Sequence, residues 1–312
     1  TINDQRSTTP DMPTIRIATP PGFTFEPAVR SHGWYLLAPF RWDAGSATLR
    51  RTEVLGGRAI DLTIGAVRGA LEVSASRSLA KHEAELTRKL TRMFQLDLDA
   101  SEFVELARAS PSHTWVARTG FGRLLCGSTR FEDAVKIIAT TNTTWLQTMR
   151  MVALLVETCG AAASRGPSAF PSPGAIASRT VDDLQARCRL GYRAKTIHAL
   201  ATGVADGSID IDALSDPSLT AAEQLARYRT LPGIGPYGAA HLMAMDGRHD
   251  FIAVDTEFRR FVRERYHGGR AVADATLLRR YRRWGRWQYL AYWAELWENA
   301  ASGLVKYETP AE

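Results

Sequence analysis

Cysteine is scarce in this sequence: its 312 residues include only Cys126, Cys159 and Cys188, and no two of them have the C-x-x-C spacing. A disulfide framework or a cysteine-ligated zinc site is therefore not expected. Long apolar runs are also missing, since none approaches the roughly 18 residues that a membrane-spanning helix needs. No signal-peptide pattern precedes the first predicted strand. These absences predict a soluble protein of a reducing compartment, not secreted and without a membrane partner.

Positive charge is abundant, and it is concentrated late in the chain. The net charge is +6 and the isoelectric point about 9.4, while an apolar fraction of 45% provides for a sizeable core. The arginines between positions 248 and 286 are Arg248, Arg259, Arg260, Arg263, Arg265, Arg270, Arg279, Arg280, Arg282, Arg283 and Arg286. A polyanionic partner explains this arginine cluster. A solvated face without a partner is the alternative.

The hydrophobic period changes once along the chain. Residues 15–76 tend to alternate, as in Ile60, Leu62 and Ile64, and glycines divide this region into short strands. From Ser78 onward the period is helical. We predict an α+β fold with a small N-terminal antiparallel β-rich domain and a two-part all-α body that contains a helix-hairpin-helix. The predicted parts are a disordered tail (1–13), the β-rich domain (14–115), a helical domain (116–225) and the helix-hairpin-helix part (226–312). The aromatic residues expected in the core of the β-rich domain are Phe23, Phe25, Trp34, Tyr35, Phe40 and Trp42.

The segment Leu231-Pro232-Gly233-Ile234-Gly235 lies between two helical patterns. Pro236 suits the first position of the second helix, where a missing N–H removes no hydrogen bond. Gly233 and Gly235 allow positive φ and a close approach of the backbone to a ligand. The pattern predicts a helix-hairpin-helix whose amides at Ile234 and Gly235, with the helix N-terminus, hold a phosphate. A tight interhelical turn is the simpler interpretation.

Asp255 follows Gly235 by twenty positions, where another helical pattern begins. Helix N-capping alone would explain an aspartate there. The hairpin, this aspartate and the arginine-rich helix after it together resemble the helix-hairpin-helix (HhH-GPD) DNA glycosylases of base-excision repair. The resemblance is closest to 3-methyladenine DNA glycosylase II, with features of the 8-oxoguanine DNA glycosylases. It implies that Asp255 is the catalytic carboxylate, which stabilises positive charge developing on the sugar and orients or deprotonates water.

Two further segments match this family, and the resemblance implies that both contact DNA. The helix and turn ending in Thr141-Asn142 resemble the segment that delivers a polar side chain into the duplex; helix capping is the alternative role of Asn142. The run Leu190-Gly191-Tyr192-Arg193-Ala194-Lys195 matches a family loop in which Tyr192 would wedge into the base stack. The expected DNA-binding residues are Asn142, Tyr192, Arg193, Gly233, Ile234 and Gly235.

The residue two positions after Gly235 determines the expected chemistry. Bifunctional relatives have a lysine there that attacks the sugar and nicks the strand, whereas this chain has Tyr237. A tyrosine has no amine for a Schiff base, so a monofunctional enzyme without AP lyase activity is expected. No cysteine follows the hairpin, which excludes the iron–sulfur loop that some relatives have. We expect no cofactor and no catalytic metal, and we leave open a structural monovalent cation at the hairpin.

The expected base pocket is built on the helix after the hairpin. Tyr237 and His241 are one helical turn apart and should share a face. The 3-methyladenine II enzymes have large aromatic residues at these positions, where an electron-rich wall favours cationic alkylated purines; His241 departs from that pattern. Tyr292 or Trp293 is expected to supply another wall. Simple packing of the last helix is the alternative for these two aromatic residues.

The expected function is hydrolytic release of a damaged purine, in particular an alkylated one, after its nucleotide is flipped out of the duplex. The expected partner is double-stranded DNA with a damaged base, bound by a monomer in the cytoplasm (nucleoid) of a prokaryote or the nucleus of a eukaryote. Two alternatives stay open: an 8-oxoguanine-type glycosylase, and a non-catalytic protein that binds DNA damage. Asp255 argues against the second, because a pure binder gains nothing from a carboxylate beside phosphates.

Overall fold

The computed structural model describes residues 13–164 and 166–301, with side chains as far as residue 298. The predicted tail, residues 1–13, lies outside the described residues except for Pro13. Within the described ranges, no helix is both long and apolar enough to cross a membrane.

The N-terminal unit is a five-stranded sheet in the order β1-β5-β4-β3-β2, with every neighbouring pair antiparallel. The register places Leu49, Ile64 and Val73 in one row across three strands, and all three are fully buried. Ile60 and Leu62 are buried as well, so the alternation in the sequence marks the core face of the sheet. The strands are β1 Thr14–Ala18, β2 Arg41–Asp43, β3 Thr48–Leu55, β4 Arg58–Val67 and β5 Ala70–Ala75.

Helices dominate the rest of the chain, which confirms the predicted α+β class. Thr220 and Glu223 form a capping box at the start of the helix that leads into the hairpin. The α-helices are α1 Phe25–Val29, α2 Glu83–Met93, α3 Ser101–Arg108, α4 Trp115–Thr119, α5 Arg130–Thr140, α6 Trp145–Cys159, α7 Pro173–Ala177, α8 Val181–Cys188, α9 Arg193–Ala205, α10 Ala221–Tyr228, α11 Pro236–Met245, α12 Thr256–His267, α13 Asp274–Arg279 and α14 Gln288–Ala301. Short 3₁₀ helices occupy Gly33–Leu36, Ala213–Ser215 and Arg282–Trp287.

Two apolar clusters hold these elements together. The first joins the sheet to α2 and to helices from α5 to α11. The second joins α3 and α4 to α12, α13 and α14, and α11 contributes to both. The ring of Phe103 on α3 lies 5.8 Å from those of Trp284 and Trp287, measured between centroids. Helix α3 therefore buries its apolar face against the C-terminal helices, and the domain boundaries stay a prediction.

A buried ionic network attaches the sheet to α5. Arg51 and Glu53 lie on the buried face of β3, where Arg51 pairs with Glu53 at 2.8 Å and with Glu132 of α5 at 3.0 Å. Lys136, one turn along α5, pairs with Glu132 at 2.7 Å. Burial alone would raise the pKa of Glu132, but the adjacent cations hold it well below its ordinary value. Charges without solvent must be paired, so this network fixes α5, and the turn at its C-terminus, relative to the sheet.

Candidate functional site

The hairpin between α10 and α11 needs its first glycine for close packing. The N–H of Ile234 donates to the carbonyl of Leu231 at 3.1 Å, and the Ile234 side chain is buried. Gly233 has φ +75°, and a Cβ on it would lie 2.2 Å from Cγ2 of Thr196 on α9. Glycine therefore lets the hairpin backbone rest directly on α9, and Ile234 attaches the hairpin to the core.

Gly235 has a different environment from Gly233. It is the exposed N-cap of α11, its φ is an ordinary −87°, and no atom lies within 4 Å of the place where a Cβ would be. Packing does not require a glycine at this position. Its small size leaves the first turn of α11 open, as a phosphate-binding helix N-terminus needs. The phosphate-binding role of Gly233, Ile234 and Gly235 stays a prediction, as does the monovalent cation at the hairpin.

Asp255 caps α12 with its side chain. Its Oδ1 accepts a hydrogen bond from the N–H of Phe258 at 2.7 Å. Burial raises the pKa of the half-buried Asp255 carboxyl, and backbone hydrogen bonds from Phe258 and Glu257 offset part of that rise. Partial desolvation makes a carboxylate a stronger base, and the cap holds its orientation. The capping interpretation is thus confirmed, and it is compatible with the catalytic role, which stays a prediction.

Asn142 and Tyr192 lie side by side on the surface, and we call them the wedge pair. Nδ2 of Asn142 donates to Oη of Tyr192 at 3.4 Å. Asn142 has φ +47°, which asparagine tolerates better than most residues. Tyr192 is 60% exposed. Asn142 directly follows Thr141, the C-cap of α5, in a left-handed conformation that commonly ends a helix. Its side chain is exposed at the surface, so its helix-capping role and its expected DNA contact both stay open.

Arg193 lies behind the wedge pair. Its guanidinium is buried, donates to the carbonyls of Thr141 and Asn142, and lies 4.6 Å from the centroid of the Tyr192 ring. These contacts fix the backbone of the turn that carries Asn142 and support the Tyr192 ring from below. The DNA contact expected of Arg193 stays a prediction, because the structure engages this side chain within the protein.

Six aromatic and imidazole side chains meet near the start of α11. We call this group the aromatic cluster; its members are His32, Trp34, Tyr237, His241, Tyr289 and Trp293. His241 is central, with ring centroids 5.4 to 6.1 Å from those of the other five. Tyr237 and His241 are in contact, as their spacing predicts. Tyr237 and Trp293 are the partly exposed members, so the cluster opens on their side.

The structure separates the two aromatic residues expected to form the second wall. Trp293 stacks on Tyr289 with centroids 5.5 Å apart, and its Nε1 donates to the Ser31 carbonyl at 2.8 Å. Tyr292 is fully buried beside Phe258 and Phe261 of α12. Trp293 therefore joins His241, while Tyr292 packs in the second apolar cluster.

Sequence reasoning missed three members of the aromatic cluster, namely His32, Trp34 and Tyr289. Trp34 is buried in the first apolar cluster, as expected, yet its ring also lies 5.4 Å from that of His241. Its Nε1 donates to Oδ1 of Asp133 on α5 at 2.8 Å, which fixes the indole. The sequence analysis predicted Trp34 only as a core residue of the β-rich domain, so no sequence signal placed it beside His241.

Burial keeps the histidines of the aromatic cluster neutral. It lowers the pKa of His241 to about 4 and the pKa of His32 to about 3, the latter with a smaller contribution from His241 itself. At pH 7 both imidazoles are therefore uncharged. The cluster therefore presents electron-rich rings without a positive charge of its own.

A cavity of about 290 Å³ lies beside the wedge pair, and its lining has arginines but no acidic residue. It is lined by Thr143, Gln147, Arg150, Met151, Arg189 and Arg193. Arg150 and Arg189 are exposed. Sequence reasoning did not single them out, although Arg189 directly precedes the matched loop. A polyanion meets this surface without repulsion from carboxylates.

Five of the eleven arginines in the arginine cluster pair with carboxylates of the protein. Arg259 pairs with Asp274 at 2.8 Å, Arg260 with Glu257 and Glu264, and Arg286 with Glu102 at 2.7 Å. Arg265 and Arg280 face Glu298 and Glu295 at 3.8 and 3.9 Å. The high count of arginines in this stretch therefore overstates its attraction for a polyanion.

A cavity of about 1180 Å³ lies at the other end of α11 from the hairpin, around Met245, Asp246 and His249. None of the predicted site residues lines it, and charges of both signs do, among them Asp97, Asp99, Asp212, Asp246 and Asp250. We therefore do not assign it to the predicted site. In the described part of the chain, no group of three His, Cys, Asp or Glu side chains is placed to hold a metal ion.

Residues 135–286 match the model of the HhH-GPD superfamily of base excision DNA repair proteins. This span is just under half of the chain. The matched span contains the wedge pair, the hairpin, α11 and Asp255, while the N-terminal sheet and α14 lie outside it.

Solved structures share the fold over nearly the whole chain. The 3-methyladenine DNA glycosylase from Archaeoglobus fulgidus is 22% identical, with a TM-score of 0.74 over 91% of this chain and 98% of that one. The 8-oxoguanine glycosylase/lyase of Clostridium acetobutylicum is 16% identical, with a TM-score of 0.70 over 91% of this chain and 97% of that one. The N-terminal sheet is thus part of the shared fold.

A curated relative is similar over a shorter stretch. The adenine DNA glycosylase of Mycobacterium tuberculosis is 36% identical over 109 residues. This match covers 34% of this chain and 33% of the relative. The chain therefore matches about a third of the length of that enzyme.

Proposed function

We propose that this protein is a monofunctional DNA N-glycosylase that flips a damaged purine, in particular an alkylated one, out of the duplex and releases it by hydrolysis. The observation that carries the proposal is the half-buried carboxylate of Asp255 at a helix start, within a span that matches this superfamily and also contains His241, the centre of the aromatic cluster. The carboxylate would stabilise the charge that develops on the sugar and activate water.

Three surfaces support DNA binding. The hairpin would offer the open first turn of α11 to one phosphate, the exposed wedge pair would fill the place of an extruded nucleotide, and the cavity with Arg150 and Arg189 would attract the backbone. A structure of the Clostridium enzyme contains double-stranded DNA. We expect one monomer of this protein to bind double-stranded DNA that carries a damaged base.

The preference for alkylated purines rests on the charge of the aromatic cluster. Alkylation of a purine ring nitrogen in DNA places positive charge on the base, and aromatic faces attract cations. Protonated histidines would repel such a base, but His32 and His241 are held neutral by burial. Trp34, Tyr237 and Trp293 supply the rings.

The proposal of hydrolysis without strand nicking rests on the positions of the amines. The position from which a lysine would attack the sugar is Tyr237. Among the described lysines, Lys136 is buried against Glu132 and Lys89 pairs with Glu53. Lys195 is exposed on α9, next to the residue that contacts the hairpin. It is placed for a phosphate contact and is the first candidate if nicking is observed.

The second candidate is a glycosylase for 8-oxoguanine or for adenine in a mispair. Two observations favour it: the resemblance implies an asparagine in the 8-oxoguanine enzymes where this chain has the exposed Asn142, and 109 residues are 36% identical to an adenine DNA glycosylase. A non-catalytic damage binder is disfavoured by the half-buried carboxylate of Asp255.

The test is base release from a panel of duplexes. The bases are 3-methyladenine, 7-methylguanine, hypoxanthine, 8-oxoguanine opposite cytosine, and adenine opposite 8-oxoguanine. We expect release of a methylated purine, strand cleavage only after alkali, and no adduct with borohydride. Asp255→Asn should lower the single-turnover rate on the order of 10²- to 10⁴-fold and leave the melting temperature nearly unchanged, because Asn is an equally good N-cap.

Each alternative gives a different result. Release of 8-oxoguanine or of mispaired adenine alone would replace the proposed substrate. Efficient borohydride adducts would disprove the monofunctional mechanism. Tight lesion binding without release of any base would leave a damage-binding protein.

A further inference from the structure

One buried polar atom in the aromatic cluster has no partner. His241 is 4% exposed, and its Nδ1 forms a hydrogen bond of 2.8 Å with Oη of Tyr289. Its Nε2 is buried and, within the described residues, has no hydrogen-bond partner. Leaving such an atom unsatisfied costs about 1–3 kcal/mol. In a site that opens at Tyr237 and Trp293, a ligand can remove that cost.

The hydrogen bond with Tyr289 determines which kind of partner Nε2 accepts. A phenol is a far stronger acid than a neutral imidazole N–H, and an unprotonated imidazole nitrogen is a better acceptor than a phenol oxygen. The Tyr289 hydroxyl therefore donates to Nδ1. Because burial keeps His241 neutral at pH 7, its single proton then resides on Nε2. The free position in the cluster is thus a hydrogen-bond donor.

We propose that Nε2–H of His241 donates a hydrogen bond to an acceptor on the flipped base, so that His241 selects purines with an unprotonated ring nitrogen or a carbonyl oxygen at that edge. This inference rests on the proposed glycosylase function. Tyr289 is the positioning residue that fixes the tautomer. An exocyclic amino group at the same place on the base would meet a second donor and be rejected, which gives the pocket a selectivity that ring stacking alone does not provide.

The first experiment measures the tautomer and needs no catalysis. Nitrogen-15 spectra of protein labelled at histidine should show His241 neutral at pH 7 with the proton on Nε2. In Tyr289→Phe this preference should weaken. A proton on Nδ1 in the wild-type protein would overturn the proposal.

The second experiment pairs a variant with altered bases. For the lesion that the wild type releases fastest, single-turnover rates are measured on the parent base and on its 1-deaza, 3-deaza and 7-deaza analogues, and on the 6-deoxo analogue where the base has O6. His241→Phe keeps a ring and removes the donor, and should release the parent base about 10- to 100-fold more slowly, as expected for one buried hydrogen bond. His241→Phe should release the parent base and one of the analogues at the same rate. The effect of the substitution and the effect of the altered base are then not additive. His241→Gln, which retains an N–H donor, should recover part of the rate. Tyr237→Phe is the matched variant, because it changes the same cluster without touching the donor.

The outcomes separate this inference from the proposed function. If the wild type releases a base and His241→Phe releases it equally fast, the role of His241 is overturned and the glycosylase function stands. The same conclusion follows if the effects of the substitution and of every analogue are strictly additive. If no duplex is processed, free 3-methyladenine and hypoxanthine are titrated while the Nε2 resonance is followed. A shift would retain His241 as a purine-binding residue and reject the enzyme, and no shift would reject both.

Discussion

Four of the seven histidines have pKa values lowered by burial, and this predicts a protein that loses stability in mild acid. Burial lowers the pKa of His32 and His249 to about 3 and that of His241 to about 4; it also lowers the pKa of His113. The unfolded chain binds protons at about pH 6.5, and the folded chain does not. The stabilisation is therefore complete above the unfolded pKa and decreases as the pH falls below it.

The magnitude follows from the two pKa values of each histidine. Between pH 7.5 and 5.5, a residue that titrates at about 6.5 when unfolded and below about 4 when folded loses about 1.3 kcal/mol of unfolding free energy. His32, His241 and His249 together account for about 4 kcal/mol, a large share of a typical stability of about 5–15 kcal/mol. Three carboxyls act in the opposite direction, because burial raises the pKa values of Asp246, Asp250 and Asp255.

His249 is the residue with which to isolate the effect. It is 1% exposed, stacks on Trp287 with centroids 5.6 Å apart, and neither ring nitrogen has a hydrogen-bond partner in the described chain. His249→Phe removes the titration and keeps an aromatic ring. In urea unfolding followed by tryptophan fluorescence, the variant should lose about 1.3 kcal/mol less than the wild type between pH 7.5 and 5.5.

A matched control uses the half-exposed His267, at the end of α12. His267→Gln should leave the pH dependence of the wild type nearly unchanged. If His249→Phe lost as much stability in acid as the wild type, the folded protein would admit a proton at His249, and the reasoning from burial would be refuted.

Two further predictions concern the backbone of the hairpin and the ionic network. Gly233→Ala should lower the unfolding free energy by more than about 1 kcal/mol, because the φ of Gly233 is positive and a Cβ would overlap Thr196. Gly235→Ala has open space for its Cβ, so its melting temperature should match the wild type while its affinity for duplex DNA falls. Equal melting temperatures for the two variants would contradict this prediction. Glu132→Gln should destabilise the protein by about 3–5 kcal/mol, because it leaves Arg51 and Lys136 buried without their shared anion; a change below 1 kcal/mol in thermal or urea unfolding would show that water reaches the network.

Local parts of the fold were predictable, because their causes lie within a few residues of one another. The strands followed from alternation, and the hairpin followed from two glycines and a proline. The N-cap at Asp255 followed from an acid placed just before a helical pattern. The contact between Tyr237 and His241 followed from the spacing of one helical turn.

The rest depended on tertiary packing that no local pattern encodes. Trp34 reaches His241 because Asp133 and the ionic network hold the sheet against α5, across about two hundred positions of the chain. The arginine cluster illustrates the converse: composition counts the charges, but only the fold shows that Asp274 and Glu102 neutralise two of them. The sequence around Arg193 matched a DNA-binding loop. In the folded protein, however, its guanidinium donates hydrogen bonds to backbone carbonyls.

The arrangement of α11 explains how one helix can serve the hairpin and the pocket together. Its residues from Gly238 to Met245 are all buried, which is the pattern of a helix inside a core. At its C-terminal end, Gln95 donates to the carbonyls of Ala244 and Met245 at 2.8 and 3.1 Å, so the orphan acceptors of the last turn are satisfied. The helix is therefore fixed at the end away from the hairpin. A rigid helix keeps the distance between the hairpin and His241 constant, so in the proposed function a duplex held at the hairpin would place its flipped base in a reproducible position at the aromatic cluster.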